Sequence, residues 1–455
     1  LLCATLAAPA YAETEVEQLR QEIRLMREEY EQRLRVMEER LQEAEAQAAQ
    51  RPAETDEQSA PVAAARPPVS GNAFNPAISA TVQAKLSSYS ENPEEAPIPG
   101  FQVGGETGLP PEGFSLDETE ITVSANVDQA FYGEITIGLH EDEGETEVDV
   151  EEAFFETLAL PGGLSVRGGR FYSGIGYLNR FHTHAWDFHD EPLVYRAFLG
   201  GQYGDDGARL NWIAPTDLYI DAGIEVLQGN SFPGGSSSAD FGDSRAAFIH
   251  VGDDVGTSHS WRGGLSYLTV DSTDRTSGHG HGGEAGGTSF TGNSDLWIAD
   301  FVWKWAPNGN PTQRNFVFSA EYFDREEDGA VTFTEDSLTA DLTYDGDQRG
   351  FYLQGIYQFM PRWRAGLRYD WLDSDNRVTL VNDGGLDPDE VLDEVGLVDA
   401  TDNPERWSLM TDYSPSEYSR LRLQYNHDDS RGGPSDRQIT LQYIMSLGAH
   451  GAHEF

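Results

Sequence analysis

The densest set of metal-ligating side chains in the sequence is His182-Thr183-His184, followed closely by Asp187, His189, Asp190 and Glu191. An H-x-H pair beside carboxylates supplies imidazole nitrogen and carboxylate oxygen, the donors that suit a borderline divalent ion such as zinc. The same residues also serve as ordinary hydrogen-bonding groups of a polar loop. A second tract, His279-Gly280-His281-Gly282-Gly283-Glu284, binds zinc only if a flexible segment is ordered first; otherwise it is an exposed loop. His450 and His453 form a third pair. Glu141-Asp142-Glu143 and the group Asp387, Asp389 and Glu390 offer oxygen ligands for calcium or magnesium. They lack a defined calcium-loop spacing, and solvated acidic loops are the plainer reading. No required cofactor is expected, with zinc and calcium as candidate ions. Enzyme signatures are absent: the sequence has no H-E-x-x-H, no P-loop, no G-x-S-x-G, and no cysteine after Cys3. A catalytic role is not expected.

The elements that must position these groups follow from alternation. One face of a segment reads Trp363, Ala365, Leu367, Tyr369 and Trp371, and the other Arg364, Gly366, Arg368 and Asp370. A second segment sets Ser419, Leu421, Leu423 and Tyr425 against Arg420, Arg422, Gln424 and Asn426. Trp297, Ala299, Phe301, Trp303 and Trp305 share one face, and Ile121, Val123, Ala125 and Val127 another. Period-two alternation with aromatic ends and a charged opposite face is the lipid-out, water-in pattern of an antiparallel transmembrane β-barrel. A soluble sandwich alternates too, but needs a second sheet over its apolar face. No apolar run long enough for a membrane helix follows the N-terminus.

Strands are expected near 76–89, 115–128, 130–140, 146–158, 164–172, 207–214, 218–228, 246–254, 259–270, 295–306, 314–324, 350–360, 363–373, 406–413, 418–427 and 438–448, about 16 in all. Short turns alternate with long loops near 90–114, 173–206, 229–245, 271–294, 325–349 and 374–405. This asymmetry separates periplasmic turns from extracellular loops and leaves both termini in the periplasm. Arg167, Arg170, Arg364, Arg368, Arg420 and Arg422 are then expected to line the pore. Opposite Asp187 and Asp190 they set a transverse field, or they pair with inward acids to stiffen the wall.

Before the barrel (74–455) three further segments are expected. Residues 1–12 read as the end of a secretory signal peptide, with Ala10-Tyr11-Ala12 as cleavage site. Cys3 leaves a lipoprotein reading open, although Leu2 is large for that motif. Residues 13–50 carry apolar positions in steps of threes and fours, from Val16, Leu19 and Ile23 to Ala44 and Ala48, which is the seam of a periplasmic α-helical coiled coil. Residues 51–73 are a Pro- and Ala-rich linker. The chain has 78 acidic against 30 basic residues and a net charge of −48, which excludes nucleic acid as a partner. Two causes of that charge stay open: a pore that concentrates cations, or the acidity of a salt-adapted organism.

On these strands and loops the chain resembles the trimeric general and substrate-selective porins of Gram-negative bacteria. It is most similar to the group with an N-terminal coiled coil and a barrel like that of phosphate-selective porins. The motifs Phe181-His182-Thr183-His184-Ala185-Trp186-Asp187-Phe188 and Gly448-Ala449-His450-Gly451-Ala452-His453 also resemble proteins labelled zinc-regulated TonB-dependent outer membrane receptors. The first resemblance implies a cell-outer-membrane homotrimer that passes ions and small polar solutes by diffusion. It also implies that the loop at 173–206 folds inward as the constriction. The acidic balance adds an expectation of cation preference, the histidine clusters one of passage of divalent metal such as zinc, and the coiled coil one of contact with peptidoglycan. The second implies an energised receptor with a TonB-type partner. That class has barrels of 22 strands and a plug, against about 16 strands here. A structural envelope tether with a closed pore is a third expectation.

Overall fold

The computed structural model describes residues 76–448, apart from 94–95, 105–107, 143–144, 236–238, 278–286, 336 and 400–401. The expected signal segment, coiled coil, linker and C-terminal histidines lie outside the described residues, as do His279 and His281.

Short runs of period-two alternation make strands, and most of the described chain follows that period. In order they are β1 (Ala77–Ser88), β2 (Gly113–Leu116), β3 (Thr119–Asn126), β4 (Phe131–Asp142), β5 (Glu145–Thr157), β6 (Leu164–Tyr172), β7 (Gly204–Ile213), β8 (Tyr219–Leu227) and β9 (Ser244–Val255). The second half contains β10 (His259–Ser277), β11 (Gly287–Trp305), β12 (Asn315–Glu335), β13 (Leu338–Met360), β14 (Trp363–Asn382), β15 (Glu405–Ser416), β16 (Ser419–Asp428) and β17 (Asp436–Gly448). Neighbours in sequence are neighbours in the sheet, all antiparallel, and β17 closes on β1 from Ser79–Gly448 to Ser88–Ile439. Closure removes every free edge, which a β-sheet in lipid requires. Both β2 and β3 pair with β1, so the 17 strands occupy 16 wall positions.

Among the register shifts of the sheet, two lie in the β2–β5 part of the wall. Ala84 faces Leu116 and Thr81 faces Glu120, so one extra residue sits between β2 and β3. On β5, Thr136 faces Glu152 while Ile137 faces Val150, which leaves Glu151 as the extra residue. A bulge turns two consecutive side chains toward one face.

The barrel is inside out relative to a soluble protein. Leu367, Leu409, Leu423 and Ile439 point outward and are exposed, while Arg368, Arg406, Arg422 and Gln424 point inward and are at most 1% exposed. An exposed apolar surface running round a whole barrel has lipid as its solvent. Aromatic pairs bound the band: Trp363 packs on Tyr413 at 4.8 Å, and Tyr369 on Trp407 at 4.4 Å. Trp363 and Trp371 lie on the same face of β14, about 27 Å apart along the strand, which fits a hydrocarbon layer crossed at a tilt.

Every expected strand is present, and β6 has the expected bounds. The expected loops are a correction where strands run into them: most of 325–349 and the ends of 271–294 and 374–405 are strand. On β12 the outward residues pass from Tyr322 to Asp324, Glu326 and Asp328 while the ladder continues to Glu335–Leu338. The lipid signature ends at the membrane surface, and the hydrogen-bond ladder does not. In the expected loop at 374–405, Asp387 caps the helix Pro388–Glu394 by accepting from the Asp389 amide at 3.0 Å. The side chains of Glu141, Asp142 and Glu143 lie outside the described residues.

Candidate functional site in the barrel lumen

The connection between β6 and β7, residues 173–203, leaves the wall at Ser173 and returns at Tyr203. Asn179 holds its neck: its side chain donates to the Ser173 and Tyr203 carbonyls at 2.9 and 2.8 Å and accepts from the Tyr203 amide at 2.7 Å. Between these ends the segment crosses the lumen. It contains the helix Leu193–Leu199, of which all seven residues are buried. Apolar side chains inside a polar barrel need their own core, and the loop supplies it. Leu193, Val194, Phe198 and Leu199 pack with Phe323 and Tyr352 of the wall and with Ile98 and Phe101 of the β1–β2 connection.

Three polar anchors hold the loop to different parts of the wall. The first is Glu321 on β12. It accepts from the amides of Tyr177 at 2.7 Å and Leu178 at 3.1 Å, and from the hydroxyls of Tyr195 at 2.9 Å and Tyr352 at 2.8 Å. Gly176 has φ +64°, and a Cβ there would overlap the Glu321 carboxylate. Only glycine accommodates both demands.

The second anchor is Asp190, against β14, β15 and β16. Its carboxylate receives Arg368 at 2.8 Å, Arg406 at 3.2 Å, Gln424 at 2.8 Å and Asn426 at 2.9 Å. Close by, Arg364 bridges Asp187 at 2.7 Å and Asp412 at 2.5 Å. Arg422 and Arg420 donate to the Trp186 carbonyl at 2.6 and 3.3 Å. Burial alone would raise the Asp190 pKa, but Arg406 and Arg368 outweigh it and hold the carboxyl well below its ordinary range.

The neighbouring His189 is pushed down to about 3 by burial, with Lys85, Arg422 and Arg368 acting the same way and Asp190 opposing. Its imidazole is therefore neutral in place, whereas a solvated histidine protonates below pH ~6.5. Above that pH both states of His189 are neutral and this residue adds no pH dependence to docking. As pH falls from there toward 3 the released state gains a proton that the docked state refuses. Docking weakens by up to about 1.4 kcal/mol per pH unit. Asp190 adds to the loss at the acid end, once pH falls below the ordinary carboxylate range. Acidification should therefore free the loop, as read by protease cleavage within 173–203. His189→Gln, which has no proton to gain, should flatten that dependence between pH 6 and 4. An unchanged pH profile in that variant would contradict this assignment.

The third anchor is the histidine pair. His182 Nδ1 lies 3.0 Å from Glu151 and 3.3 Å from Glu120, and its Nε2 lies 3.1 Å from Glu152. His184 Nδ1 lies 2.8 Å from Glu120, and the Thr183 hydroxyl donates to Glu118 at 2.7 Å. Burial would lower the His182 pKa, but the Glu120 charge and bonds from Glu151 and Glu152 win, raising it well above the usual value. The four glutamates were not legible as a group. They come from two wall positions, the β2–β3 segment and β5, and the two bulges are what turn Glu118 inward beside Asp117, and Glu151 beside Glu152. The sequence signal was consecutive acids inside otherwise alternating strands.

The other expected residues separate. Asp187 joins Arg364 rather than the histidines. His189 sits at the second anchor; its amide donates to Gln424 at 2.9 Å, its carbonyl accepts from Lys85 at 3.0 Å, and its Nδ1 is buried without a hydrogen bond. Arg167 faces inward and binds Glu156. Arg170 is a correction. It lies three residues further along β6, which reverses the face, and it pairs with Asp206 at 2.9 Å with both side chains about half exposed. Arg364, Arg368, Arg420 and Arg422 face the lumen, where loop 173–203 covers them. Their hydrogen-bonding capacity goes to that loop and to the wall groups Asp412, Asp370 and Gln442 rather than to an open channel surface.

No family model matches the chain. An uncharacterized protein of Aquifex aeolicus (strain VF5) is 31% identical over 359 residues, covering 75% of this chain and 70% of that one. Among solved structures, the chain is similar to a loop L8 deletion mutant of OmpT, an outer membrane protein of Vibrio cholerae. That likeness has a TM-score of 0.49 and 10% identity over 82% of this chain and 99% of the other. The outer membrane channel DcaP of Acinetobacter baumannii has a TM-score of 0.48 and 13% identity, covering 81% and 96%. Pseudomonas putida OprB has a TM-score of 0.47 and 12% identity, covering 82% and 94%.

Proposed function

The chain belongs to the same family as the Aquifex aeolicus protein, and on this premise we propose that its barrel is an outer-membrane channel of the porin class. Ions and small polar solutes cross it passively, and loop 173–203 sets how much passes. One observation carries this reading: a closed 16-position barrel with a lipid-facing exterior holds a charged lumen, crossed by a segment of its own chain that is tied down by side chains. A tie made of hydrogen bonds and ion pairs is releasable, where a continuous sheet is not. The excess of acid over base favours cations in the lumen and its mouths, including divalent ones such as zinc. Homotrimer formation, through the barrel wall and the segment at 13–50, and contact of that segment with peptidoglycan belong to the same reading.

Reversal potentials in planar bilayers under a KCl gradient test it. Current with a cation-selective reversal potential is the expected result; folded protein that inserts and stays silent would sink it. A second reading is an energised receptor, favoured by the occupied lumen. Loop contacts reach β1, β3, β5, β8, β10 and β12 to β16. That reading requires saturable substrate binding and a TonB-type partner in place of diffusive current. A closed-pore tether requires peptidoglycan affinity without current.

A further inference from the structure

We infer that Glu120, Glu151 and His182 form a divalent-metal site, completed by Glu118, Glu152 and His184, which fastens the inward loop to the β3–β5 wall.

The donors are already together. One ligand atom each from Glu120, Glu151 and His182 lie within 4.8 Å of one another. At metal–ligand distances of about 2.1 Å, neighbouring ligand atoms sit roughly 3.0 Å apart in an octahedron and about 3.4 Å in a tetrahedron. The His182 Nδ1 distances to Glu151 and Glu120, 3.0 and 3.3 Å, have that size. They are also hydrogen-bond distances, so the deciding observation is a different one. Glu151 Oε1 is buried with no hydrogen-bond partner, on a side chain only 8% exposed. A buried carboxylate oxygen with no donor is costly, so the Glu151 carboxylate, whose Oε2 faces His182, keeps capacity for a cation.

Charge points the same way. Four carboxylates converge on two imidazoles, while the nearby cations are committed elsewhere: Lys85 binds Asp117 at 2.6 Å and Arg167 binds Glu156 at 2.5 Å. A divalent ion offsets the negative charge gathered among these carboxylates. Gly138, on the adjacent strand, leaves the space into which Glu151 projects; a Cβ there would overlap its Oε1. Mixed imidazole and carboxylate donors select zinc, cobalt, nickel or manganese over calcium and magnesium, which take oxygen ligands alone.

The site is independent of whether the barrel conducts, and its test needs no current. Purified folded barrel in detergent is titrated with cobalt(II) and followed by visible absorption, then with zinc by calorimetry. The expected result is one tight equivalent per barrel with cobalt d–d bands of a nitrogen–oxygen site. Glu151→Gln and His182→Ala should each weaken it about 100-fold, and the exposed His427→Ala should leave it unchanged. Glu151→Gln keeps side-chain volume, and heat-modifiable gel migration verifies folding. Folded wild-type protein that gives no d–d bands would overturn the site. So would tight binding that survives both substitutions, which would place the metal on other histidines.

Discussion

Asp190→Ala should detach the loop from β14, β15 and β16 while the barrel stays closed. The substitution removes a carboxylate shared by Arg368 and Arg406, both about 1% exposed, and strips an acceptor from Gln424 and Asn426. Breaking a buried ion pair from one side costs about 3–5 kcal/mol, because the remaining charge is left without a partner in a poorly solvated place. Asp370, 2.9 Å from Arg368 and 3.6 Å from Arg406, compensates both arginines in part. The wall ladders of β13 and β14 run for about twenty residues each, so the strain is relieved by the loop, which lets water in to hydrate the two arginines. The readout is trypsin. Arg196 is 1% exposed, with its side chain bound to the Ala96 carbonyl at 2.9 Å. It should be cut in the variant and spared in the wild type, with Asp190→Asn intermediate. Equal digestion of the two proteins would mean that Asp190 is not what holds this side.

Glu321→Ala acts on the opposite wall and should be comparably large. Its carboxylate is the acceptor for two loop amides and two tyrosine hydroxyls. Each buried donor left unmade costs about 1–3 kcal/mol. The four are not additive, since Tyr195 keeps a bond from the Leu178 and Asn179 amides at 3.1 and 3.0 Å. Amide hydrogen exchange at Tyr177 and Leu178 should accelerate by two to three orders of magnitude, while exchange in β12 and β13 stays slow. Glu321→Gln, which keeps one acceptor oxygen, should fall between. Exchange rates at Tyr177 and Leu178 that do not move would assign the anchoring to the apolar helix Leu193–Leu199 alone.

How much of this was legible in the sequence depended on which solvent a residue faces. Strands bounded by lipid were readable because an outward Leu or Trp alternates with an inward Arg or Gln, as in β14 and β16. The outer halves of β12 and β13 were not, because Asp324, Glu326 and Asp328 face water on the outside and polar groups line the inside as well. Alternation carries no contrast there. The loop that carries His182 and His184 was identifiable from its ligand types. Its glutamate partners were not: Glu151 is 31 residues away in sequence and Glu120 is 64 from His184, and Glu151 owes its placement to an extra residue that period-two counting does not register. Arg170 is the converse case. Arg167 and Arg170 differ by an odd number, so on a regular strand they cannot share a face. The apolar residues Leu193, Val194, Phe198 and Leu199 read as a short buried helix only once the lumen is known to be their surroundings.

The account stands most directly on single-channel conductance compared between the wild type and a barrel in which residues 176–201 are replaced by a short glycine–serine turn. Residues 173 and 203 remain, so β6 and β7 keep their ladder from Leu164–Trp212 to Tyr172–Gly204. If loop 173–203 governs passage, the shortened barrel conducts several-fold more than the wild type, and the wild type approaches it when acid releases the loop. A folded, inserted, loop-shortened barrel that is silent, or no more conductive than the wild type, would contradict the claim that this lumen is a channel and this loop its constriction.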